Sequence, residues 1–259
     1  MTALLKVLDI KNKGYLMSLS NKKTGAFAII LLVVCFSVLF ACGEPENNSK
    51  NKPLDAEKLY PESFTFFDLG SSTRLSDDLQ KTLYGQLGSY SVEKMTVLDL
   101  VIHNKAIFGN HFPNLFELHR KLNDEKGARI EHNITNLTFR YLQNENTPFE
   151  YVKLTFSNYS NKPLLFSINS RKKEAYIVDT LKEKYGEPSS INWEDGKSLS
   201  LLWEKNRDFL IFSKIADRGS FKYNIMIYFV NNIENLLQIE QDEIRKKEEE
   251  RKKAGKTAF

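Results

Sequence analysis

Cysteine is almost missing from this chain: its 259 residues include two, Cys35 and Cys42. Cys35 lies inside an apolar run and Cys42 closes it, so the part that follows can form no internal disulfide and must be held together by packing alone. An excess of one charge is missing as well. The whole chain carries +4, but five of its 37 basic residues and one of its 33 acidic residues precede Cys42, leaving 32 of each behind it. A neutral chain has no general attraction for phosphate backbones, so no nucleic-acid partner is expected. Histidine is scarce: His103, His111, His119 and His132 stand at spacings of eight, eight and thirteen. Metal sites commonly take two ligands from one helical face at i, i+3 or i, i+4, and no histidine pair has that spacing, so no metal and no cofactor are expected. A Gly-x-Ser-x-Gly elbow is absent too. That removes one compact hydrolase signature and leaves open a dispersed Ser, His and Asp triad, which is defined by geometry and not by spacing.

What is present begins with a processing signal. Lys22 and Lys23 precede an apolar run over residues 26–41, and the small residue Ala41 stands immediately before Cys42. This is the order of a secretory leader, and the run falls just short of the roughly 17–20 residues a spanning helix needs. Leu39-Phe40-Ala41-Cys42 resembles the bacterial lipobox. The resemblance implies that the Cys42 thiol carries a diacylglycerol, palmitate being the typical chain. It also implies cleavage between Ala41 and Cys42, which makes Cys42 the new N-terminus and the membrane its partner through that lipid. Gly43, where retained inner-membrane lipoproteins have Asp, implies an outer-membrane destination facing the periplasm. Met17 opens a more typical leader, MSLSNKK, than Met1 does, so translation is expected to start there. An uncleaved single-pass anchor is the alternative reading.

Residues 1–41 are therefore read as the signal and 42–56 as the lipidated cysteine with a flexible tether. The stretch GEPENNSKNKPLD has too little apolar surface to offset its ordering entropy, and extended it reaches on the order of 40 Å. About 217 residues follow Cys42, enough for a good-sized core. Residues 57–240 are expected to form an α+β domain and 241–259 a charged tail.

Within the domain, SDDLQKTLYGQL at 76–87 has a capping serine, acids in its first turn and leucines at fours, and is expected to be a helix. MTVLDLVI at 95–102 is expected to be a buried strand. PNLFELHRKL at 113–122 and EAYIVDTLKEKY at 174–185 are two more helices, the second stopped by Gly186 and Pro188. Each is followed by three strand-like runs: ITNLTFRYL, FEYVKLTFS and PLLFSI, then SLSLLWEK, DFLIFSKI and YNIMIYFV. Pseudo-repeats at 112–170 and 171–230 follow from this order, either as two subdomains or as one continuous antiparallel sheet, with helices on one face. A last helix is expected from Asn231 or Asn232, ending in the solvated or frayed sequence RKKEEERKKAGKTAF.

IVDTLKEKYGEP at 177–188, a helix ending in Gly-x-Pro before antiparallel sheet, resembles the SmpA/OmlA (BamE-like) small envelope lipoproteins. The resemblance implies an α+β fold and an envelope location, and it carries over no catalytic residue. FDLGSST at 67–73 resembles the first phosphate loop of actin-like ATPases. The later phosphate and adenosine motifs of that fold are absent, so Gly70 to Thr73 is read as a turn leading into the helix at Ser76. The aromatics Phe64, Phe66 and Phe67, Tyr223, Tyr228 and Phe229, and Trp193 and Trp203 are expected to be mostly core, with any exposed subset forming a partner or glycan surface. The expected role is a non-catalytic binding or assembly module with an envelope protein as possible partner. An envelope hydrolase with a dispersed site is the competing class.

Overall fold

The computed structural model describes residues 63–257, apart from 104, 124–129, 142–146, 172–173 and 194–195. The expected leader, Ala41, Cys42 and the expected tether lie outside the described residues. The described ones all belong to one unit, Lys58–Phe259.

An eight-stranded antiparallel sheet organises this unit, with α1 at Asp77–Leu87, β1 at Ser91–Val92, α2 at Lys105–His111 and α3 at Pro113–Lys121. Strands β2 (Ile134–Arg140), β3 (Phe149–Ser157) and β4 (Pro163–Ser170) follow, then α4 at Glu174–Tyr185. The chain closes with β5 (Ser189–Asn192), β6 (Leu199–Lys205), β7 (Asp208–Asp217), β8 (Ser220–Tyr228) and α5 (Val230–Thr257). Strand order is β1-β2-β3-β4-β8-β7-β6-β5. Two four-stranded meanders therefore run inward from opposite edges and meet at the β4–β8 pairing, from Leu165 opposite Tyr228 to Ser170 opposite Tyr223. The class is α+β, in its one-sheet form.

The helices, expected on one face, lie on both. Strand β7 is buried at six consecutive positions from Asp208. Phe209, Ile211 and Ile215 join one core with Phe108 of α2, Leu115 and Leu118 of α3, and Ile233 and Leu236 of α5. Leu210 and Phe212 join the other, with Leu83 and Leu87 of α1 and with Ile177 and Leu181 of α4 packed against it. Successive strand residues point to opposite faces, so a run apolar at every position demands cover on both sides. The runs DFLIFSKI and YNIMIYFV carry that signal.

The pseudo-repeat is also reassigned. The helix matching α4 is α1, not α3: α1 and α4 lie on the same face, and each ends at a glycine with positive φ, Gly88 at 84° and Gly186 at 87°. An edge strand then starts at Ser91 or at Ser189, the same distance beyond each glycine. The sequences TLYGQLG and TLKEKYG align, with Thr82 and Thr180 both donating their hydroxyl to the carbonyl four residues back, at 3.0 and 2.9 Å. Helices α2 and α3 are an insertion between β1 and β2.

MTVLDLVI is a second correction. It makes a single bridge, Val97 to Glu131, and crosses one face of the sheet instead of joining it. Leu98, Leu100 and Ile102 are buried in alternation as a strand's would be. Thr96 accepts one backbone bond, from the His132 N–H (2.9 Å), and further on side chains replace a ladder: the Leu100 N–H donates to His119 Nδ1 (3.5 Å), Tyr228 Oη donates to the Leu100 carbonyl (2.9 Å) and the Val101 N–H donates to Asp99 Oδ1 (3.0 Å). Paired backbone groups are what burial requires, and a ladder is one of several ways to pair them.

The cap expected on the first helix is present. Ser76 Oγ accepts from the Leu79 N–H at 3.2 Å and caps α1. Asn206 and Arg207, both at positive φ (51° and 70°), form the tight turn between β6 and β7. Helix α5 begins at Val230 and runs to Thr257, exposed from Ile244 onward over its described side chains.

Candidate binding cleft

Register across the sheet builds a feature that no single strand shows. Arg140 stands opposite Tyr151, Tyr151 opposite Asn169, Asn169 opposite Asn224, Asn224 opposite Ser213 and Ser213 opposite Ser200. One row of polar side chains thus crosses six strands, on the face that carries α2, α3 and α5 elsewhere. At its centre Asn224 Nδ2 donates to Asn169 Oδ1 at 3.0 Å, across the seam between the meanders. Asn224 Oδ1 is buried and has no hydrogen-bond partner among the described residues. A buried acceptor left unpaired costs about 1–3 kcal/mol, so an incoming donor is favoured there.

Two adjoining clefts open on this row, of about 230 and 500 Å³, and share His103, Ile215 and Asn224. The smaller lies between the sheet and segment 97–103, with Tyr151, Lys153 and Ser167 on its floor. The larger continues past the end of β4, where Asn169, Arg171, Phe221 and Lys222 line it. Together they fall in the size range of small-ligand sites.

Several charges around the clefts are paired. Glu93 pairs with Lys153 at 3.0 Å and with Arg140 at 3.5 Å, and Asp217 pairs with Lys222 at 2.7 Å. Partial burial pushes the Glu93 carboxyl up, but its bonds to Lys153 and Thr138 and the charges of Lys153 and Arg140 outweigh this and leave it below the ordinary value. Burial raises the Tyr151 phenol, and Glu93 beside it raises it further. Arg171 is held by a guanidinium bond to the Tyr141 carbonyl. The amides and hydroxyls of Asn169, Asn224, Tyr151 and Ser167 line the clefts beside Asp99, Glu150 and Arg171.

The histidines are not gathered here. His132 is buried against α5, with Nδ1 2.8 Å from Glu240 Oε2 and Nε2 2.9 Å from the Leu122 carbonyl oxygen. His119 accepts from Leu100 and lies 3.7 Å from Asp99. His103 stacks obliquely against Trp193, ring centroids 5.7 Å apart, and His111 closes α2. Among the described residues no three His, Cys, Asp or Glu side chains come together as a metal site. No helix of the described residues is long and apolar enough to cross a membrane.

The two tryptophans are buried in different cores, Trp193 donating to Ser200 Oγ at 3.0 Å and Trp203 to the Gly186 carbonyl at 2.8 Å. Phe64, Tyr228 and Phe229 are core, while Phe67 is exposed at a two-residue turn with Asp68. In FDLGSST, Phe66 and Leu69 exchange both backbone bonds across that turn, and Gly70 donates to Thr73 Oγ1 at 3.0 Å. The stretch is the expected turn toward α1.

The polar row was missed in the sequence because it depends on register. A signal existed: asparagine is depleted in strands, yet the runs PLLFSINS and YNIMIYFV each place one among apolar residues. No protein-family model, curated protein or solved structure matches the chain.

Proposed function

We propose that this chain is a lipid-anchored envelope protein, attached to a membrane through Cys42 and facing the periplasm, whose α+β domain binds an envelope component without chemistry. The anchor rests on Lys22, Lys23, the apolar run 26–41 and the sequence Leu39-Phe40-Ala41-Cys42. Gly43 after the cysteine supports the outer membrane as destination. One structural observation carries the binding half: Tyr151, Asn169 and Asn224 of the polar row line two adjoining clefts with their amides and hydroxyl. Such groups orient a ligand by hydrogen bonding and are poor nucleophiles or proton carriers at neutral pH.

Growth with an alkyne-tagged fatty acid tests the anchor. The wild-type chain is expected to take up the label and fractionate with membranes, and Cys42→Ser to take up none. An unlabelled wild type, or a labelled variant, contradicts the proposal.

A further inference from the structure

The balance of 32 basic and 32 acidic residues behind Cys42 conceals a segregation. Residues 244–255 hold six of the bases and three of the acids, which leaves 26 bases and 29 acids elsewhere behind the cysteine. Helix α5 carries this basic excess away from the sheet. Every residue from 244 to 255 is exposed, and the helical backbone runs on to Thr257, about 20 Å past Glu243. Glu248 stands four residues before Lys252 and Glu249 four before Lys253, and the bases lie toward the C-terminal end. Both arrangements support a helix that packs on nothing.

Spacing gathers the excess on one face. Arg245, Lys246, Glu249, Lys252 and Lys253 recur at intervals of three, four and seven, which places four bases and one acid together. On the other side Lys247 and Arg251 are balanced by Glu248 and Glu250. Where the helix leaves the domain Asp242 pairs with Arg245 at 2.9 Å, so beyond that pair the charge of the face rests on Lys246, Lys252 and Lys253 around Glu249. Ile244 is the one apolar side chain larger than alanine in residues 244–255, so an apolar groove or a coiled-coil partner has nothing to hold. Such a helix is recognised by charge, and an anionic surface fits it. A polyanion free in solution meets a molecule whose charges cancel behind Cys42, whereas a membrane that already tethers the chain meets the helix at high local concentration.

We propose that the basic face of α5 docks on anionic phospholipid headgroups of the membrane that holds the chain, a second contact that orients the domain on its tether. This step rests on the lipid anchor at Cys42, which brings the helix to that surface. Lysines and arginines clustered on a helix are drawn to anionic headgroups within a Debye length, about 8 Å at physiological salt. Exposed ion pairs along the helix compete little, being weak in water.

The test is energy transfer in the full chain reconstituted into vesicles, from a dye on Ala254→Cys to acceptors on the lipid headgroups. Position 254 lies on the side of α5 away from the basic face, and the chain without that substitution, treated with the same dye, gives the background from Cys35 and Cys42. Transfer is expected to rise about two-fold or more when phosphatidylglycerol is added to phosphatidylcholine, and to fall back at high salt. Lys246→Gln with Lys253→Gln is expected to abolish the rise. Lys247→Gln with Arg251→Gln, an equal loss of charge on the other side, is expected to keep it. All four positions are exposed, so folding is not at stake. No response to phosphatidylglycerol, or the same response in both double variants, overturns the proposal. Transfer that follows protein density in phosphatidylcholine alone assigns the helix to a second copy and also overturns it. Flotation with phosphatidylcholine vesicles reads the anchor separately, since that contact needs no charge: a chain that floats there without responding to phosphatidylglycerol keeps the anchor and loses the helix contact, and a chain that does not float loses the anchor.

Discussion

His132 and Glu240 are 108 positions apart in the chain and 2.8 Å apart in the fold. Glu240 also accepts from the Asn133 N–H at 3.0 Å, and Tyr159 Oη donates to Glu243 one turn further on, so this pair fastens the last buried turns of α5 to the sheet. Both His132 nitrogens face oxygens, Glu240 Oε2 on one side and the Leu122 carbonyl on the other. Only the imidazolium donates to both.

A pH dependence follows. Burial depresses the His132 ring, but the bond to Glu240, the bond to Leu122 and the Glu240 charge together raise it above 6.5. Its stabilisation is therefore complete below about pH 6.5 and is lost as pH rises through the higher folded value. His119 behaves in the opposite way: burial lowers it, Asp99 pulls it back up and Lys105 lowers it again, for a net value below 6.5. Its contribution is present above about pH 6.5 and is lost as pH falls through the lower folded value. Ring resonances in an NMR titration should show the two midpoints on opposite sides of 6.5. Glu240→Gln should cost about 1.5–3 kcal/mol at acidic pH and clearly less at alkaline pH, read from thermal melts.

Asp208 caps α5 from a different element. Its Oδ1 accepts the Val230 N–H at 3.0 Å, while burial pushes its pKa up to about 6 against the opposing effects of that bond and of Arg207. A carboxyl raised in the folded state stabilises most below its unfolded value of 3.8 and loses that contribution as pH rises through about 6. Asp208→Asn keeps an acceptor and removes the buried charge, so it should gain on the order of 1–3 kcal/mol relative to wild type between acidic and mildly alkaline pH. Asp208→Ala should instead lose about 1–2 kcal/mol through the missing cap. Denaturation at the two pH values separates these outcomes.

Gly88 isolates a backbone effect. At φ 84° it ends α1, and an added Cβ would meet no atom within 4 Å. Gly88→Ala should therefore cost about 1–2 kcal/mol by conformation alone, with packing unchanged. A neutral result in a denaturant titration would mean that the turn relaxes, and the equivalence with Gly186 would lose its conformational basis.

Much of this fold was legible. The six long strands, α4 and the cap of α1 could be read because each is a local pattern of period or capping chemistry. Strands β1 and β5 could not, being two and four residues long and mostly exposed. MTVLDLVI misled because alternation reports which side chains are buried and not which backbone groups pair. The cleft was hidden for a related reason: Asn169 and Asn224 are ordinary polar positions until register sets them side by side. Ser200 belongs with them, since its hydroxyl lies between the Trp193 indole and Ser213 Oγ, 2.7 Å away.

That Ser200 link is testable. Ser200 and Ser213 are both fully buried, so Ser200→Ala strands the Trp193 N–H and the Ser213 hydroxyl at once. A loss of about 1–3 kcal/mol is expected, with altered tryptophan emission in the native state.

The proposed anchor at Cys42 would decide where the domain works, and intact-mass measurement of the membrane-extracted protein beside Cys42→Ser addresses it most directly. The account predicts a wild-type chain that starts at an acylated Cys42 and a variant that keeps residues before it. Two unmodified chains that both retain residues 26–41 would make the apolar run a permanent anchor and contradict the account.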